Sequence, residues 1–374
     1  MGFSTINSLI EQHLGKTFPA AQIEILLGGR SVYSNAFGLL DPANPQSPIT
    51  NLESRFDLAS VSKLFTVAAF MTFVEQGRVS LDQPVREILS DFSGERAITP
   101  YPDPLQPGMF VSVVPENNLR ANADTITFRN LLVHNSGLPA WLPLWKSATR
   151  KQRRDTALRC NFSYPPGTRV VYSDIGLIIL GFALEKLAGQ SLDTTVHERV
   201  TAPLGLNSIG YGPIPCDNVV PTEFYAHQNR RMCGEVHDEN SWSLGGVAGH
   251  AGIFGNAHDV ASFGEALRVN RLLKHETLAE MTRLQSQDGG VRRGIGFALW
   301  SPDPEAASNP LGERSFGHLG FTGTSLWIDP MRDLVVACMT NRVYYGRNNA
   351  NVIGTFRVAL HRAIVEIVDR SQEE

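Results

Sequence analysis

One stretch constrains the fold more than any other: L-F-T-V-A-A-F-M-T-F-V-E-Q at 64–76, closed by Gly77. A surface helix keeps a polar face, and this one has apolar residues on nearly every side. It has to lie between layers, with other elements covering it all round. Lys63 and Ser60 stand at its start, behind F-D-L-A at 56–59, which reads as buried chain leading into the serine. A solvated lysine is out of place in such a helix, because lysine is almost never fully buried unless paired.

The other elements follow from periodicity. Residues 5–15 form an amphipathic helix with Ile6, Leu9, Ile10 and Leu14 on one face, and 22–27 with 31–39 form a hairpin around Gly28 and Gly29. Residues 82–125 make an irregular excursion stiffened by Pro100, Pro102, Pro104 and Pro107. Helices are expected at 175–188, stopped by Gly189, and at 191–200, 260–269 and 350–369. Strands are expected at 294–300, 325–328 and 334–340. The 374 residues suggest about two domains. The expected fold is α/β (mixed α+β): an antiparallel sheet from both termini flanked by helices, with an inserted mainly helical region. The sheet domain takes 1–60 and 230–374, and the insertion takes 61–229.

Composition narrows the partners. A formal net charge of −4 with no basic excess argues against nucleic acid. The longest clean apolar run, 175–184, falls far short of the roughly 20 residues a membrane span needs. The first residues lack the basic start and apolar core of a signal peptide, so a cytoplasmic protein is expected; a leader already removed would point to the periplasm instead. Ile6 stands where a myristoylation signal has Ser or Thr. Cysteines 160, 216, 233 and 338 show no metal spacing and read as thiols. Neither a cofactor nor a metal is called for.

Ser60 and Lys63 are three apart and share a helix face. A serine hydroxyl becomes a nucleophile when a base takes its proton, and a lysine serves if its pKa is lowered. Helix-start N–H groups suit a developing oxyanion. The bland alternative is a capping serine beside a solvated lysine. Against it, only one of the six lysines has a serine three positions before it. Y-S-D at 172–174 opens the second apolar helix, where Tyr172 can place its hydroxyl in a site or simply pack. G-H-L-G-F-T-G-T at 317–324 is a glycine-rich strand along which a substrate backbone can lie, or a bulged edge with an exposed histidine.

In this order the three segments resemble the serine β-lactamase and penicillin-recognising superfamily: Ser-x-x-Lys, then Tyr-x-Asn, then Lys/His-x-Gly. The likeness is nearest to its class C branch of β-lactamases, D-alanyl-D-alanine carboxypeptidases, D-aminopeptidases and esterases. L-L-V-H-N-S-G-L-P at 131–139, the glycine-rich 245–261 and T-N-R-V at 340–343 are also similar to family segments. The resemblance implies Ser60 as nucleophile, Lys63 as base and Tyr172 as proton relay. It puts His318 and Gly320 on the substrate-facing strand and makes the N–H groups of Ser60 and Phe321 the oxyanion hole.

Two departures bear on the substrate. Asp174 replaces the family asparagine, and His318 replaces a lysine that would hold a substrate carboxylate. A histidine of ordinary pKa, about 6.5, is mostly neutral at pH 7. Arg342 restores the cation if it points inward. The expected partner is a small ester or amide, with a D-amino-acid or cell-wall-type peptide as the alternative and a sensor that has lost turnover as a third reading. A cluster of His227, His237, Asp238, Glu239, His250 and His258 raises a metal site as a rival, but lacks the i, i+4 spacing of zinc hydrolases.

Overall fold

The computed structural model describes residues 2–106, 108–114, 118–226 and 228–373. Pro107 and His227 lie outside the described residues. The main elements are α1 (Ser4–His13), β1 (Ala20–Leu27), β2 (Arg30–Gly38), α2 (Ser62–Glu75), α3 (Asp174–Ala188), α4 (Ala257–Arg268) and α5 (His275–Thr282). They continue with β3 (Ser286–Asp288), β4 (Val291–Arg293), β5 (Ala298–Leu299), β6 (Phe316–Leu319), β7 (Ser325–Asp329), β8 (Leu334–Thr340) and α6 (Ala350–Glu373). The strands form one sheet in the order β3-β4-β5-β6-β7-β8-β1-β2, antiparallel throughout.

Strand alternation divides two cores. Leu326, Ile328, Val335, Ala337 and Met339 face α4 and belong to the core it shares with α2, while Trp327, Leu334, Val336 and Cys338 face α1 and α6. On α6 the residues Ile353, Phe356, Leu360, Ile364 and Val368 recur every three or four positions and lie along that second face. α2 is interior as expected: Leu64 through Met71, and Phe73, are buried. α3 is equally apolar, and Gly189 closes it in the left-handed conformation at φ 72°.

Several expectations shift. The segment 60–77 begins as a tight 3-10 turn, Ala59–Val61, before α2. The strand expected at 294–300 shrinks to Ala298–Leu299, because Gly294 N–H closes a turn on Phe297 O at 3.0 Å. The excursion at 82–125 carries two small ribbons, pairing Glu95–Ala97 with Arg120–Asn122 and Tyr101–Pro102 with Phe110–Val111. Cys216 and Cys233 are joined in a disulfide, which corrects the reading of four thiols; Cys160 and Cys338 are free. Among the described residues no single helix is long and apolar enough to cross a membrane.

Candidate active site

The chain entering Ser60 is held from two sides. Phe56–Asp57 pairs with Ile253–Gly255, and Leu58 N–H donates to Ile253 O at 2.9 Å. Ala59 then turns left-handed at φ 47°, a conformation that costs a non-glycine residue about 1–2 kcal/mol. Asp57 holds it there: one carboxylate oxygen accepts the Ala59 N–H at 2.8 Å and the other the His237 N–H at 2.6 Å. On the opposite side, Thr322 Oγ1 donates to Asp57 O at 2.7 Å and Thr324 Oγ1 to Leu58 O at 2.8 Å. This turn requires Gly320, since a Cβ there would stand 2.0 Å from Thr324 Oγ1 and 2.6 Å from Leu58 O. Arg357 of α6 secures the turn by donating to Gly320 O and Thr324 O at 3.1 and 2.8 Å. Ser60 and Phe321 border the same cavity as a result.

Lys63 is 1% exposed and donates to Ser60 Oγ at 2.8 Å and to His250 O at 3.0 Å. Its ammonium also lies 2.8 Å from Asp174 Oδ1. Burial pushes the lysine pKa down, but the Asp174 carboxylate, helped by Tyr172, pushes it up by more, so the group sits above the usual lysine range. That is the reverse of the lowering a resting base needs. The charge that Asp174 brings in place of the family asparagine thus faces the lysine.

Tyr172 sits among His134, Lys63, Arg293 and His318, its ring centroid 4.7 Å from the His134 ring and 5.0 Å from Lys63 Nζ. Its hydroxyl is buried close to Lys63 and Ser60, without a well-aligned hydrogen bond to either. Burial raises its pKa more than Lys63 lowers it, which keeps it a neutral phenol. The 131–139 segment places this tyrosine. Ser173 N–H donates to His134 Nδ1 at 3.0 Å, and Ser173 Oγ donates to Pro139 O at 2.6 Å.

His318 is 4% exposed and does not border the cavity. Its Nδ1–H donates to Leu319 O at 2.8 Å, and Nε2 is buried without a partner. Burial, then the charges of Lys63 and Arg293, hold it well below its usual pKa, so it is neutral. Arg342 does not reach the cavity either. It lies over the Phe321 ring at 4.5 Å and donates to Asn349 Oδ1 at 2.7 Å.

The cavity measures about 220 Å³, below the ~300–1,000 Å³ typical of sites for drug-sized ligands. Pro104, Leu105 and Trp141 form an apolar wall, the first two supplied by the proline-rich excursion. His237, Asp238, Glu239 and Arg347 give the lining its polar and charged part. Arg347 pairs with Glu223 at 2.7 Å and with Glu239 at 2.5 Å. Neither Arg347 nor Trp141 belongs to any of the three motifs, and no local signal marks them.

The suspected metal cluster divides among separate partners. His237 bonds Glu223 at 2.7 Å, His250 bonds Asp238 at 2.8 Å, and His258 lies 3.6 Å from Glu24. Asp174, Asp238 and His250 do bring ligand atoms within 4.8 Å of one another. The Lys63 ammonium already contacts Asp174 and the His250 carbonyl, and a divalent ion would face that fixed positive charge.

Comparison with known proteins agrees with this architecture. Residues 6–354 match the Beta-lactamase family model. An N-acetylmuramyl-L-alanine amidase of Bacillus subtilis (strain 168) is 29% identical over 384 residues, spanning 90% of this chain and 80% of the relative. The structure of EstCE1, a hydrolase with promiscuous acyltransferase activity, has a TM-score of 0.74 at 24% identity and covers 96% of this chain and 98% of its own. D-amino acid amidase from Ochrobactrum anthropi SV3, complexed with L-phenylalanine amide, has a TM-score of 0.73 at 19% identity, covering 99% of each chain. Fold and sequence likeness together define a serine hydrolase built on a helix-flanked antiparallel sheet. The chain belongs to the Beta-lactamase family.

Proposed function

We propose that this enzyme hydrolyses small, uncharged esters or amides through an acyl-enzyme on Ser60. The observation that carries the reading is the 2.8 Å contact between Lys63 Nζ and Ser60 Oγ, beside a small cavity whose cations are already paired. Lys63 pairs with Asp174, and Arg347 with Glu223 and Glu239. A substrate carboxylate would have to break one of those pairs, whereas a neutral acyl group meets Trp141 and Leu105.

In the proposed mechanism the neutral form of Lys63 takes the Ser60 proton as Oγ attacks the carbonyl. Backbone N–H groups of Ser60 and Phe321 receive the oxyanion, and Tyr172 passes a proton to the leaving group. Water then attacks the acyl-enzyme. A fluorophosphonate probe tests the nucleophile. It should label Ser60 in the wild type and leave Ser60→Ala unlabelled but folded. Label found on Ser62 or Ser136 would overturn the assignment. Matched p-nitrophenyl esters with and without a terminal carboxylate test the substrate class, and the neutral ester should be preferred. A tenfold or larger preference for the carboxylate at pH 8, lost in Arg347→Ala, would replace this reading with that of a D-alanyl peptidase.

A further inference from the structure

A second cavity lies between α5 and the β4–β5–β6 edge of the sheet, with a volume of about 320 Å³. That reaches the lower end of the range for small-ligand sites. Its walls combine an apolar floor of Leu278, Leu299 and Phe316 with the polar groups of Arg292, Arg314 and Ser315. Arg268 also borders it, but is tied to Glu265 and Asp333. Arg292 and Arg314 have no ion pair among the described residues. Glu313, the one carboxylate on the wall, is exposed and within ion-pair distance of neither.

Two polar groups here are buried and unanswered. Ser315 is 1% exposed, and its Oγ has no hydrogen-bond partner. The Arg292 Nε is likewise buried without one. A buried donor left unmade costs about 1–3 kcal/mol, and both residues line the one cavity, so an acceptor seated there would answer them. A guanidinium fork and a hydroxyl are the donors that recognise a planar carboxylate. The floor beside them suits a short hydrocarbon body.

We infer that this cavity is a binding site for a small organic acid, its carboxylate held by Arg292, Arg314 and the Ser315 hydroxyl and its apolar body resting on Leu278, Leu299 and Phe316. The site is distinct from the Ser60 cavity and does not rest on the reaction proposed for it. The two are nonetheless one residue apart in sequence. Strand alternation puts Arg292 on the wall of this cavity and Arg293 over the Tyr172 ring, 5.2 Å from its centroid.

Calorimetric titration of the intact protein with hexanoate, hexanol and inorganic phosphate tests the assignment. Hexanoate should bind saturably, and more tightly than either hexanol or phosphate. Arg292→Ala should weaken it about tenfold and Ser315→Ala severalfold, the scale of charge-assisted and neutral hydrogen bonds. Arg347→Ala, at the other cavity, should leave it unchanged. Ser315→Ala alters one atom of a side chain, so it keeps the test decisive if the arginine variant misfolds. Absence of saturable hexanoate binding, equal binding of phosphate, or loss of binding in Arg347→Ala would each overturn the inference.

Discussion

Asp174→Asn keeps the shape of the side chain and removes the charge 2.8 Å from Lys63 Nζ. Two unit charges at that distance interact by about 6 kcal/mol at an effective dielectric of ~20. Asp174 is 21% exposed, so screening and relaxation leave roughly 2–3 kcal/mol of this. Without the carboxylate that holds it up, the Lys63 pKa should fall. The sign follows from the pair. Asp174 favours the ammonium, the ammonium is not a base, and removing the carboxylate frees the amine at lower pH. The rising limb of kcat/KM should therefore move toward acid, and on that limb the rate should rise about 30- to 100-fold, at about 1.36 kcal/mol per tenfold. A pH-stat assay of short-ester hydrolysis between pH 6 and 10 measures this, with circular dichroism to check the fold. A limb that stays put or moves toward alkali would refute the reasoning. Uniform loss of activity at every pH, with no movement of the limb, would make Asp174 itself the group that takes the serine proton.

Further outcomes are expected. Lys63→Arg keeps the charge but not the titration, so turnover should fall nearly as far as in Lys63→Ala; Tyr172→Phe should lower kcat by about 10² without a matching rise in KM. His361 is buried on α6, donates to Ala307 O at 2.6 Å, and is pushed by burial down to about 4. The unfolded chain binds its proton near pH 6.5, so the stability from a neutral His361 is complete above that pH and falls by about 1.4 kcal/mol per unit down to pH 4. Urea unfolding at pH 6.5, 5.5 and 4.5 should show His361→Gln flattening the acid dependence by that slope. Alkylation of the protein denatured without reductant should modify Cys160 and Cys338 only. Reduction of Cys216–Cys233 should cost about 3 kcal/mol for a loop of 17 residues, and four alkylated cysteines would show that the pair stays open.

What could be read from sequence is what depends on local spacing. The unbroken apolar surface of α2 leaves no choice but burial, and the alternation in β7 and β8 sorts Trp327 from Leu326 without reference to the rest of the chain. Ser60 and Lys63 are one helical turn apart, so their contact is also local. Arg347 is different: its position in the cavity depends on Glu223, 124 residues earlier in the chain. The charge state of Lys63 is hidden for the same reason. Spacing brings it to Ser60, but only the packing of α3 against α2 brings Asp174 to it and raises its pKa. His318 shows the converse. Its place in the motif suggests a side chain facing substrate, while the strand buries it behind Tyr172. The Cys216–Cys233 pair matches no motif and forms because the loop before His237 folds back on itself.

The pairing of β1 with β8 has a consequence for synthesis. Ala20 N–H donates to Asn341 Oδ1 across 321 residues, so the first long strand has one neighbour, β2, until nearly the whole sheet has been made. At about 5–20 residues per second, roughly 15–60 s separate the two strands on the ribosome. α2 also lacks its cover until α3, which packs against it, and α4, whose Phe263 stacks on Phe65 at 4.2 Å, have followed it. The nascent chain thus carries a long apolar helix and an open strand edge, the surfaces that holdase chaperones bind and that drive aggregation when expression is fast. The turn that clamps the chain entering Ser60 arrives in the same late stretch, so Ser60 acquires its final position only after this delay. Slower translation or a lower growth temperature should therefore raise the yield of active enzyme more than it raises total protein.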